Sequence, residues 1–212
     1  MNLKQITFYL DFISPYSHLA FEKLPDALMG LSYSVTYRPV LLGALLRHHQ
    51  LLGPAEVPAK RAWTYRHVQW LGQQHGVTLQ MPAVHPFAPL PLLRLAIACA
   101  HGGDPNRYVC ETLLHHVWHG GADANDPVRL QALREQLNPP LAPEDEAVKT
   151  RLRHNTDEAV AAGVFGVPSF VVDGRMFWGF DSLPLLRRYL EGDPWFDGPG
   201  WNAIDKVAAQ QQ

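Results

Sequence analysis

The stretch ITFYLDFISPYSHLAF, residues 6–21, decides how this chain begins to fold. Residues 4–12 are rich in Ile, Phe and Tyr and alternate weakly, the pattern of a strand. Ser14-Pro15 then sets a capping hydroxyl directly before a proline, a pairing suited to the first turn of a helix. Leu19, Phe21, Leu24 and Leu28 carry the helix on at helical spacing until Gly30. Residues 32–40, SYSVTYRPV, alternate with period two and predict a second strand. The first forty residues read β-α-β.

Outward from there the pattern changes. Residues 43–154 have little strand character. LLGALLRHH, AKRAWTYRHVQWLGQQHG, APLPLLRLAIACAHG, RYVCETLLHHVWHG and PVRLQALREQL each place apolar residues at helical spacing, with Gly, Pro or Asn between them. A short helix is predicted over 155–163. A hairpin follows, SFVV and RMFWG joined by Asp173-Gly174, the dipeptide that a tight two-residue turn favours. Asp181 and Ser182 open a last helix. The order is β-α-β (1–42), a helical insertion (43–154), α-β-β-α (155–191) and a C-terminal arm (192–212). Each half alone leaves a sheet face bare, so the two join most simply into one sheet. The class is α/β.

The 212 residues are 47% hydrophobic and 18% charged, enough to bury a core, and the net charge of −2 has no basic block for a nucleic-acid backbone. No apolar run is as long as a membrane span, and residues 1–10 lack the order of a signal peptide, so the expected location is cytoplasmic. Cys99 and Cys110 form neither a Cys-x-x-Cys pair nor a disulfide framework and read as two buried thiols on helix faces. His115, His116 and His119 share a helix, yet no further ligand follows at familiar spacing, and no metal is expected.

Three short stretches point to chemistry. At the helix start after Ser14 backbone N–H groups are free and the dipole is positive, so an anion there is stabilised. A serine will not ionise near neutral pH, but it can donate a hydrogen bond to another molecule's thiolate. In GVFGVPSF, residues 163–170, a proline enters a strand. A cis bond before Pro168 would leave the Val167 N–H and C=O free for an extended ligand. In WGFDSL, residues 178–183, the N–H groups around Asp181 and Ser182 suit a carboxylate. The competing readings are an ordinary cap at Ser14, an edge-strand proline at Pro168 and simple capping by Asp181. In a β-α-β…β-β-α sheet all three stretches fall on one edge.

That combination resembles the thioredoxin-like fold with a large all-helical insertion found in DsbA-like proteins. YLDFISPYSHLAF, YRPVLLGALL, EVPAKRAW, HPFAPLPLLRLA and GVFGVPSFVVDGRMFWGFDSL are similar to the 2-hydroxychromene-2-carboxylate isomerases, relatives of the kappa-class glutathione transferases. The resemblance implies a glutathione-dependent cis–trans isomerase acting on a small aromatic or enone substrate, as a homodimer. Ser14 would hydrogen-bond the glutathione thiolate, and Val167 beside Pro168 would pair with the cysteinyl backbone. Gly179, Phe180, Asp181 and Ser182 would hold the γ-glutamyl end. Arg47 and Lys60 would meet an anionic group, and Phe12 and Tyr16, flanking Ser14, would wall an aromatic substrate. Ala88 stands where close relatives carry asparagine, and Phe180 and Ser182 where the family carries a polar residue and arginine. Two alternatives remain open. One is a kappa-like glutathione transferase; the other is a non-catalytic thioredoxin-like protein that binds glutathione or a peptide. Disulfide exchange lacks the protein thiolate that it needs.

Overall fold

The structure, a computed structural model, describes residues 3–100, 103–201 and 203. The strand predicted at the start is β1 (Lys4–Leu10). Ile6, Phe8 and Leu10 are buried in the main core on one face, and Tyr9 in a smaller core on the other. A strand buried on both faces belongs inside a sheet. On one side β1 pairs in parallel with β2 (Tyr33–Pro39), and α1 (Pro15–Ala27) provides the crossover that parallel pairing requires.

On the other side of β1 lies β3 (Ser169–Val172), antiparallel, followed by β4 (Arg175–Trp178), which gives the order β2-β1-β3-β4. The turn between β3 and β4 is the predicted one. Asp173 and Gly174 have φ of 51° and 75°, the left-handed pair that a tight hairpin turn needs. Asp173 also receives the Tyr189 hydroxyl at 2.7 Å and pairs with Lys4. Gly174→Ala, which puts a Cβ on a left-handed residue, is expected to cost about 1 kcal/mol. The check is a lower urea midpoint at unchanged slope.

Between the two halves of the sheet run α2 (Leu42–His48), α3 (Pro58–His75), α4 (Leu90–Ala98), α5 (Arg107–Trp118), α6 (Pro127–Leu137) and α7 (Glu146–Ala161). Start signals are plain in several of them. Pro15, Pro58 and Pro127 sit in first turns, and Ser14, Asn106 and Asp126 accept N–H groups as side-chain caps. Trp118, fully buried, donates its indole N–H to the Phe12 carbonyl at 3.1 Å and so ties α5 to the segment before α1. On the opposite face of the sheet Tyr9, Val40, Leu45, Ala159 and Val164 pack between α2 and α7.

Two predicted boundaries are corrected. The helix expected over 155–163 is the end of α7, which starts at Glu146 and crosses the proposed boundary at residue 154 unbroken. Asn155 and Thr156 look like a helix start, but both are buried inside α7. The Asn155 amide donates to the Pro39 carbonyl at 3.2 Å, and the Thr156 hydroxyl accepts the Leu41 N–H at 3.1 Å. The last helix, α8 (Leu183–Leu190), begins later than expected. Phe180–Ser182 form a 3-10 turn before it, and neither Asp181 nor Ser182 caps α8 through its side chain. Pro194–Phe196 in the arm form a 3-10 turn, while its polar end lies outside the described residues. No described helix is long and apolar enough to cross a membrane.

Candidate active site

The ends of β1, β3 and β4 bring the three chemistry-bearing stretches to one edge. Ser14 caps α1, its oxygen accepting the Ser17 N–H at 3.2 Å while its hydroxyl donates to the Val167 carbonyl at 3.5 Å. The bond between Val167 and Pro168 is cis. The Pro168 carbonyl accepts the Gly179 N–H at 2.9 Å, which joins the Val-Pro turn to the turn after β4. Ser14, Tyr16, Val167, Pro168, Gly179, Phe180 and Asp181 all line one cleft of about 1390 Å³. Ser182 stands behind it, its hydroxyl donating to the Gly179 carbonyl at 2.8 Å. No hydrogen bond among the described residues uses the N–H of Tyr16 or Val167.

Three expected contacts fail. Phe12 does not wall the cleft: it lies in the turn after β1 and is fully buried in the main core with Phe8 and Leu10. Arg47 and Lys60 are exposed and stand off the cleft wall. The basic side chains that reach the wall are Lys23, paired with Asp26, and Arg187, which donates to the Ala27 carbonyl at 2.9 Å. Cys99 and Cys110 are free thiols away from the cleft, and burial raises both pKa values, that of Cys99 to about 11. The cleft has no protein thiolate among its lining residues.

The insertion contributes two histidines, His85 and His67, that sequence patterns did not single out. His85, on the cleft wall, lies with Nε2 2.9 Å from the Ile13 carbonyl, one residue before Ser14. A carbonyl only accepts, so Nε2 carries the proton and Nδ1 of the neutral ring is an acceptor. The Tyr65 hydroxyl lies 2.7 Å from that Nδ1 and 3.0 Å from the His85 carbonyl, so two acceptors share its one proton. Burial lowers the His85 pKa and holds the ring neutral. Across the cleft the Tyr16 hydroxyl meets His67 Nδ1 at 2.9 Å, linking α1 to α3. Burial and then the charge of Asp181 raise the Tyr16 pKa. HPFAPL held the signal for His85, a polar ring inside an apolar, proline-rich run. Its partner is twenty residues away, beyond any local pattern.

Beneath Ser14 lies Asp11, fully buried. Its carboxylate accepts the N–H of Leu42 at 2.9 Å and of Ile13 at 3.2 Å, so it joins the entries of α2 and α1. Burial pushes its pKa up to about 7, against the pull of those N–H groups and that of Phe12.

Comparison with known proteins agrees with this fold. The model of the DsbA-like thioredoxin domain matches residues 5–191. A 2-hydroxychromene-2-carboxylate isomerase of Sphingobium xenophagum is 30% identical over 194 residues, 88% of this chain and 98% of that protein. Glutathione S-transferase kappa 2 of Caenorhabditis elegans is 25% identical over 218 residues, 93% of this chain and 96% of the relative. A solved 2-hydroxychromene-2-carboxylate isomerase superposes with a TM-score of 0.75 at 21% identity, over 91% of this chain and 97% of that one.

Proposed function

The chain belongs to the DsbA-like thioredoxin family, among relatives of 2-hydroxychromene-2-carboxylate isomerases and kappa-class glutathione transferases, and we propose that it is a glutathione-dependent cis–trans isomerase of 2-hydroxychromene-2-carboxylate-like aromatic compounds. One observation carries the reading. A serine hydroxyl, not a thiol, stands at the start of α1, opposite a cis-proline turn whose Val167 N–H is unused, in an apolar cleft. These residues fit a thiol tripeptide. The Ser14 hydroxyl and the Tyr16 N–H are the donors for a thiolate, Val167 pairs with extended backbone, and the Gly179–Ser182 turn takes the γ-glutamyl end.

Bound glutathione would supply a thiolate that adds to the ring-opened cis-enone, lets the former double bond rotate, and leaves again. A free thiol has a pKa of about 8.5 and is only a few per cent ionised near neutral pH. Lowering that pKa by one to two units, worth about 1.4–2.7 kcal/mol, is the task of Ser14 and the α1 N-terminus. Leu42, Leu46, Phe165 and Trp178 on the wall keep water off the reacting centre. His85 Nδ1 and the Tyr65 hydroxyl handle the proton that moves when the chromene ring opens.

The test is the ultraviolet thiolate absorbance of glutathione bound to the purified protein, titrated from acid to base. A chromene carboxylate and an electrophile with a leaving group are then assayed. The expected result is a bound thiol titrating below its free value, with glutathione regenerated during turnover. Consumption of one glutathione per leaving group released would assign the site to transfer, as in the kappa relatives. Absent binding, or an unshifted thiol, would remove the catalytic reading. Tyr65→Phe strips His85 Nδ1 of its donor, a loss of about 1 kcal/mol or somewhat more. Turnover is expected to fall about tenfold. The thiol titration should stay as in wild type, which separates this step from thiol activation.

A further inference from the structure

Along α1 from Ser14, His18 and Glu22 face α5 and meet Glu111 and His115. Glu22 Oε1 lies 2.8 Å from His115 Nε2 and 4.0 Å from His18 Nδ1. Ligand atoms of Glu22, Glu111 and His115 all lie within 4.8 Å of one another. The His119 ring stacks on His115 at 4.1 Å between centroids and meets His18 edge-on at 5.5 Å. Two carboxylates and one imidazole thus converge from two helices, and His18 approaches them through Glu22.

His18 turns this cluster into a candidate site. It is fully buried, and its Nε2 lies 2.8 Å from the Thr78 carbonyl. That carbonyl only accepts, so the proton sits on Nε2 and Nδ1 presents a bare lone pair. Nδ1 has no hydrogen-bond partner among the described residues and faces the Glu22 carboxylate. A buried lone pair aimed at an anion lacks a positive centre between them. Histidines that bind metals commonly donate the other ring N–H to a carbonyl or carboxylate, as His18 does here.

We propose that His18, Glu22, Glu111 and His115 bind one divalent transition-metal ion of the zinc class, which clamps α1 to α5. Imidazole and carboxylate ligands suit such an ion. A tetrahedral ion with ligands at about 2.0–2.1 Å holds them about 3.3 Å apart. The separations of 2.8 and 4.0 Å around Glu22 Oε1 bracket that spacing. The ion replaces the proton that His115 Nε2 shares with Glu22. His116 is not a ligand, because its Nε2 lies 2.9 Å from the Ala124 carbonyl. Spacing along α5 alone hides the site, since half of its ligands come from α1.

The experiment titrates chelator-treated protein with zinc by calorimetry and with cobalt by visible absorption, and follows thermal unfolding at saturating zinc. Expected are one ion per chain, the intense visible bands of a four-coordinate cobalt site, and a raised unfolding midpoint. Glu22→Gln and Glu111→Gln should each weaken binding at least tenfold, and His116→Ala should leave it unchanged. Glu111 is partly exposed, so its variant keeps the fold and guards against misreading a folding defect. Wild-type protein without saturable binding overturns the proposal, and so does binding that survives both glutamine variants unchanged. Neither result bears on the isomerase reading, which uses no metal.

Discussion

Ser14→Ala is expected to leave glutathione affinity within about threefold of wild type while raising the bound thiol pKa by one to two units, about 1.4–2.7 kcal/mol. Turnover should fall about eight- to twenty-fivefold near neutral pH, the drop in thiolate fraction when a thiol at about 6.5–7.5 returns to about 8.5, because only the thiolate reacts. The physical reason is the weak hold that the protein has on this hydroxyl. Its proton reaches the Val167 carbonyl only at 3.5 Å, so it can swing to a sulfur at little cost. Affinity is expected to persist because backbone pairing at Val167 and the Gly179–Ser182 turn is untouched. The variant also loses the cap on the Ser17 N–H, worth about 1 kcal/mol of stability. An unfolding curve beside the thiol titration separates the two effects. Unchanged turnover and an unchanged thiol pKa would end the catalytic role of Ser14.

Much of this arrangement was legible because its signals are local. Alternation in residues 4–10, the Ser14-Pro15 start and the Asp173-Gly174 turn each need only a few neighbours to act. The Ser14, Val167 and Gly179 segments therefore could be assigned to element ends, and one sheet brings those ends together. What stayed hidden depends on tertiary partners. Asn155 and Thr156 read as a helix start because their side chains favour caps. In the fold those side chains serve the backbone of Pro39 and Leu41, so the helix runs through them. Phe12 turns into the main core after β1 ends at Leu10. Its nearness in sequence to Ser14 suggested the cleft instead. Arg47 sits in the last turn of α2, a short helix whose rotation no motif specifies. The Tyr65–His85 pair, like the lone pair of His18, exists only once distant segments meet.

Asp11→Asn is expected to change how stability depends on pH. In wild type the folded carboxyl holds its proton to about pH 7, because burial outweighs the N–H groups of Leu42, Ile13 and Phe12. In the unfolded chain it ionises at its ordinary value of 3.8. Between those two values the folded state binds more protons than the unfolded one. The stabilisation is therefore complete below 3.8 and is lost as pH rises through 7. A gap of roughly three units corresponds to about 4 kcal/mol. Asparagine keeps an acceptor oxygen but cannot ionise. The wild-type unfolding free energy should thus fall by about 4 kcal/mol more than that of the variant between about pH 4 and 8, as read by urea unfolding at steps of pH. Parallel curves would show that the N–H groups already hold Asp11 ionised. The same charge bears on the chemistry, because the Asp11 carbonyl accepts the Ser14 N–H at 3.1 Å and its carboxylate lies just beneath the α1 entry. A negative Asp11 opposes a second anion there, so above pH 7 the bound thiol should titrate lower in Asp11→Asn than in wild type. Ser14→Ala moves it the other way, and the double variant measures whether the two act on the same sulfur.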